Sequence, residues 1–392
     1  MYKHISFNKL ALTVKLLVKF LAKFMNINDL KSLTLEQKIG QLFFIGVPGD
    51  GIDAATTKLL ADIQPGGVCL FTRNIRDPLQ TRTLLDEIHD ASRITPFLSL
   101  DQEGGLVDRL RRILTPIVAP NKIRTTSDAA KLAEIISEAV RILGFNMNFA
   151  PVVDVIDEQR SAFSNGLHSR AFGTSPFEVV EFAGEFLHVM QANGCMGCLK
   201  HFPGLGASKV DSHEELPNVS VSTDEFESVD LSPYKQLLQS GEVNAVMVAH
   251  AVYPEHHLQE ADQNGKLLPS SLSSNIVTTL LRQELNFDGL VLTDDLEMGA
   301  IVKNYGIGEA CVLAILAGED MVSICASVDS IYEGHAAITE AVAAGRISEE
   351  RLDRSVKRIF TAKSKLQKNL NFDADRLTTL SKEIKELNDR LN

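Results

Sequence analysis

Short apolar runs punctuate the chain at fairly regular intervals. They fall at 42–47 (LFFIGV), 67–71 (GVCLF), 97–100 (FLSL), 147–153 (MNFAPVV), 195–199 (CMGCL), 245–249 (AVMVA), 289–293 (GLVLT) and 321–325 (MVSIC). Between them lie stretches with apolar positions at helical spacing, such as 127–143, 177–191 and 272–285. Runs this short and this uniformly apolar suit the strands of a parallel sheet buried on both faces by helices. Eight strand and helix units predict a single closed (β/α)8 TIM barrel of the α/β class over residues 33–365, not an open doubly wound sheet. The domain opens at Thr34, which stands three residues before Gln37 in the pattern of a capping box.

The two ends read differently. Residues 1–32 form a basic amphipathic extension in which Lys15, Lys19 and Lys23 interrupt the apolar positions, so no run approaches the roughly 20 residues of a membrane span. Lysines at that spacing make one stripe on a helix, which suits weak contact with a membrane surface. The competing readings are a signal peptide without an A-x-A cleavage site and a true start at Met25. Residues 366–392 are highly charged with few apolar positions and read as a solvated C-terminal helix or tail.

In such barrels the chemistry sits at the C-terminal ends of the strands. The polar residues there are Asp101-Gln102-Glu103, Asp154, Lys200-His201, His250 and Asp294-Asp295, with Asp211 and His213 in the loop after the fifth strand. A formal charge of −12 argues against a nucleic-acid partner and for a small neutral or polar substrate. The five cysteines lie mostly within apolar runs, as buried free thiols do in a reducing compartment, and Cys195-x-x-Cys198 reads the same way. No Gly-rich phosphate loop follows a strand, so no nucleotide cofactor is expected. Three classes fit the polar set: a metal-dependent hydrolase with His201, Asp211, His213 and His250 as ligands, a glycoside hydrolase, and a sugar-binding protein without chemistry.

DQEGG at 101–105 with Arg109, RAFG at 170–173, KHFPG at 200–204, DSH at 211–213 and TDD at 293–295 resemble glycoside hydrolase family 3. The similarity runs from about residue 35 to 345 and is strongest to the single-domain bacterial β-N-acetylglucosaminidase branch of peptidoglycan recycling. The resemblance implies Asp294 as nucleophile, His213 as general acid/base held by Asp211, and a sugar site of Asp101, Arg109, Arg170, Lys200 and His201. An imidazole titrates near neutrality, so it can protonate a leaving oxygen and then take a proton from water. The implied activity is a retaining exo-β-N-acetylglucosaminidase acting on muropeptides in the cytoplasm, with no metal or organic cofactor. A β-glucosidase-type enzyme and an N-acetylglucosamine phosphorylase are the alternatives within the fold.

The chain departs from that branch in its loops. Leu205 stands where a histidine is usual, Ala207-Ser208 where Asp-Thr is usual, and Leu106 where Gly-Gly is commonly followed by arginine. Gly204 and Gly206 are expected to give the DSH loop freedom to close. Asp295 is expected to cap the following helix and His250 to be either a site residue or a satisfied buried histidine.

Overall fold

A computed structural model describes residues 32–163 and 165–392. The amphipathic N-terminal extension lies outside the described residues but for Ser32. The strands are β1 Phe43–Gly46, β2 Gly67–Cys69, β3 Phe97–Leu100, β4 Gln102–Gly104, β5 Val107–Asp108, β6 Met147–Asn148, β7 Met196–Gly197, β8 Leu199–Phe202, β9 Ala245–Val248, β10 Leu290–Asp295 and β11 Met321–Ile324. β4 and β5 form a small antiparallel hairpin, and the rest make one parallel sheet in the order β7, β6, β3, β2, β1, β11, β10, β9, β8.

β7 and β8, at the two ends of that order, are pieces of one run broken only at Cys198. Met196 pairs with Met147 on one side and Leu199 with Val246 on the other, and a bridge between Val152 and Lys200 fills the seam. The sheet therefore closes, and its nine pieces are the eight runs read from the sequence. The (β/α)8 expectation holds.

Side-chain caps start the surrounding helices. Thr34 and Gln37 make the reciprocal box that opens Leu35–Gln41. Asp53, Asp77, Thr125 and Ser175 each accept a main-chain N–H at the head of Ala54–Ile63, Pro78–Ala91, Thr126–Leu143 and Pro176–Ala192. The strands beneath are buried on both faces, as their lack of alternation required. Phe44 stacks on Phe97 at 6.1 Å and meets Phe149 edge-on at 5.1 Å. Burying each such ring contributes roughly 1.5–3 kcal/mol.

The charged C-terminal segment is a helix, as one form of the expectation had it, but it is not solvated on all sides. Helix Ala374–Leu391 buries Leu377, Leu380, Ile384 and Leu387, a stripe at helical spacing that the high charge obscured. Its polar flank pairs with helix Thr126–Leu143, through Arg376 to Glu138 and Glu383 to Lys131. The segment is docked onto the barrel wall.

Candidate active site

All eight predicted site residues, Asp101, Arg109, Arg170, Lys200, His201, Asp211, His213 and Asp294, line one cleft at the C-terminal end of the barrel, with about 220 Å³ of free space. Strand ends supply half of them, Asp101, Lys200, His201 and Asp294. The β4–β5 hairpin carries Arg109 back over Asp101, the loop before helix Pro176–Ala192 supplies Arg170, and the loop after β8 supplies Asp211 and His213.

One wall is a chain of opposite charges. Lys200 donates to Asp101 at 2.8 Å and to Glu103 at 2.6 Å. Arg170 grips Glu103 with two parallel bonds, at 2.8 and 2.9 Å, and Arg109 reaches Asp101 at 3.3 Å. Burial pushes both carboxyls up, but the neighbouring cations outweigh it. Lys200 and Arg109 hold Asp101 well below the usual carboxylate range, and Arg170 and Lys200 lower Glu103 to about 2. Burial opposes the charge on Lys200 as well, yet Asp101 and Glu103 raise it above its ordinary value. The wall is a fixed, fully ionised cradle whose open lone pairs and N–H groups suit the hydroxyls of a polyol.

Asp154 organises the turn below. It takes the Nδ1 side of His201 at 2.7 Å and the main-chain N–H of Leu205 at 2.6 Å. Asn165 adds bonds to the carbonyls of Gly206 and Ser208. Residues 203–208 are consequently buried. The glycines here serve close packing, contrary to the expectation of loop freedom. Gly204 sits at φ 129°, and a Cβ on Gly206 would lie 2.3 Å from the carbonyl oxygen of Val155.

Beyond Ser208 the loop emerges. His213 Nδ1 lies 2.8 Å from Asp211 Oδ1, and the same oxygen accepts the His213 N–H at 2.9 Å. Asp211 thus fixes the ring and leaves Nε2 for the cleft. The His213 side chain is 67% exposed, so its loop stands open.

Asp294 lies half-buried at the end of β10. Burial pushes it up, but His201, His250 and the Asp295 N–H at 2.8 Å leave it below the ordinary carboxylate value. It is therefore ionised at neutral pH. His250 is a satisfied buried histidine: Ser271 Oγ lies 2.7 Å from Nδ1, and Nε2 donates to the Asp295 carbonyl at 3.1 Å. Asp295 is not a helix cap. The next helix, Gly299–Val302, begins after Met298, and the Asp295 carboxylate bonds the Glu297 N–H at 3.0 Å instead.

The ligand set of a metal hydrolase does not assemble. His201, His213 and His250 each have other partners, and among the described residues no three His, Cys, Asp or Glu groups are placed to hold a metal ion. Sequence reading placed Glu103 and Asp154 at strand ends without giving either a role. Asn165 it did not single out, since one asparagine in a loop carries no pattern.

The model of the glycosyl hydrolase family 3 N terminal domain matches residues 34–362. A curated β-hexosaminidase of Pseudomonas aeruginosa is 36% identical over 288 residues, covering 72% of this chain and 81% of that protein. A family 3 β-N-acetylglucosaminidase of Paenibacillus sp. str. FPU-7 superposes with a TM-score of 0.81 at 34% identity, covering 91% of this chain and 69% of that one. A family 3 glycosyl hydrolase of Mycobacterium smegmatis gives a TM-score of 0.76 at 30% identity, covering 87% and 100%.

Proposed function

This chain belongs to glycosyl hydrolase family 3, and from that premise we propose that it removes terminal β-linked N-acetylglucosamine from muropeptides, with retention of configuration. The observation that carries the reading is the pairing of one half-buried ionised carboxylate, Asp294, with an Asp-oriented imidazole, His213, in a single cleft.

In the first step an oxygen of Asp294 attacks the anomeric carbon. The bond to the aglycone breaks, and His213 Nε2 gives its proton to the leaving oxygen. In the second step the same nitrogen takes a proton from water, whose oxygen displaces Asp294 and releases the sugar. Asp101, Arg109, Arg170, Lys200 and His201 hold the sugar hydroxyls, and their mutual pairing fixes them before it arrives.

The muropeptide aglycone is supported by charge next to Phe71, Val107 and Cys325, which line the cleft. Arg73, Arg111 and Arg112 are exposed and bond main-chain carbonyls of Cys325, Leu106 and Thr72, and among the described residues no carboxylate pairs with them. In a chain of net charge −12, such free guanidinium groups favour an aglycone bearing carboxylates. The five free cysteines support a reducing compartment such as the cytoplasm.

The test is hydrolysis of the p-nitrophenyl β-glycosides of N-acetylglucosamine and glucose, in buffers with and without phosphate. Turnover of the N-acetyl substrate to free sugar in both buffers is expected. Preference for the glucoside, or a sugar 1-phosphate as product, would overturn the reading in favour of a β-glucosidase or a phosphorylase.

A further inference from the structure

Asp295 takes no part in the steps above, yet it shares the cleft with Asp294. Successive residues of a strand face opposite sides, so adjacent carboxyls would ordinarily point apart. Here the register of β10 against β11 slips: Leu292 pairs with Met321 but Asp295 with Ser323, three residues against two. That bulge turns both aspartates toward one space.

Asp295 is also held firmly. Its carbonyl accepts from His250, its N–H donates to Asp294, and its Oδ1 accepts the Glu297 N–H. The side chain nevertheless stays partly exposed in the cleft. The groups around it are Asp294 and Glu297 on its own segment, Cys325 after β11, Cys69 at the end of β2, His250 after β9, and His213 and Asp101 on other walls of the cleft. Burial, joined by the negative charges of Glu297 and Asp294, pushes its carboxyl up to about 7.

We propose that Asp295 is a further substrate-binding carboxyl, which works as a neutral acid and donates a hydrogen bond to an uncharged oxygen of the bound sugar. Asp294 is then the one anion at the end of β10, and its neighbour supplies a donor where a second carboxylate would only accept. The inference rests on the glycosidase reading for the identity of the sugar.

The experiment compares wild type with Asp295→Asn, which offers one donor and one acceptor at every pH, and with Asp295→Ala, which offers neither. N-acetylglucosamine binding is measured by calorimetry from about pH 5 to about pH 9, alongside kcat/KM for the p-nitrophenyl substrate. Wild-type affinity should fall as pH rises through about 7. The Asn variant should stay within about threefold of the wild-type maximum and lose that fall, while the Ala variant weakens about tenfold or more at every pH. An Asn variant as weak as Ala, or one that keeps the wild-type pH dependence, would overturn the proposal. Binding with these signatures but no turnover would refute the glycosidase reading alone, and no binding by the wild type would overturn both.

Discussion

The main-chain N–H of Gly299 donates to the carbonyl oxygen of His213 at 3.1 Å, and Ala300 does the same to Ser212 at 3.3 Å. The loop that carries His213 is thereby fastened to the turn that follows Asp294. The proposed nucleophile and acid/base follow different strands, yet their positions are set against each other by main-chain bonds.

Gly299 permits that contact because it has no side chain. A Cβ there would lie 2.5 Å from the carbonyl oxygen of Glu214 and 2.7 Å from that of His213. Gly299→Ala should therefore push the loop outward and lower kcat/KM by about tenfold or more, because small displacements of a catalytic group are costly. Circular dichroism and the thermal midpoint should change little, since the loop is exposed. Unaltered kinetics would show that the fastening has no catalytic role.

His213→Ala should lower kcat/KM by about 10²–10⁴-fold for a substrate with a sugar leaving group. The loss in the first chemical step should be smaller for p-nitrophenol, which leaves without protonation. Single-turnover rates for the two substrates separate these cases, and equal losses would argue against proton donation by His213.

Glu103 gives a prediction about stability. Its carboxyl is lowered from 4.5 to about 2 in the folded chain, so its contribution is present above about pH 4.5 and is lost as pH falls through about 2. Glu103→Gln should destabilise the fold at neutral pH by about 3 kcal/mol, because Lys200 and Arg170 lose a buried partner, and the deficit should shrink toward low pH. Urea midpoints between about pH 2 and about pH 7 would measure this. A deficit that does not depend on pH would contradict the ionised cradle.

The barrel was legible because uniformly apolar runs of strand length recur eight times, and the site because its polar residues close those runs. The split of the fifth strand at Cys198 was not, since it depends on pairing with two different neighbours. The packing role of Gly206 was equally hidden, because it comes from Val155, a residue 51 positions away. Asp295 was misread as a cap because strand alternation does not foresee a bulge. The docked helix Ala374–Leu391 was masked by its charge, although Leu377, Leu380, Ile384 and Leu387 already had helical spacing.

The charge beside the cleft should distinguish a carboxylate-bearing substrate from a neutral one. Arg112→Glu should reduce kcat/KM for a muropeptide bearing carboxylates by about fivefold or more, and leave the neutral p-nitrophenyl substrate within about twofold. The muropeptide effect should fade with added salt. Equal effects on both substrates would place Arg112 outside aglycone recognition.

The central claim is that Asp294 bonds the sugar. The most direct measurement is to trap the intermediate with 5-fluoro-N-acetyl-β-glucosaminyl fluoride and to locate the label by peptide mass spectrometry. The account predicts one fluorosugar on the peptide containing Asp294, and none on the Asp294→Ala protein. A label on another carboxylate, or turnover of the reagent by an Asp294→Ala protein at the wild-type rate, would contradict it.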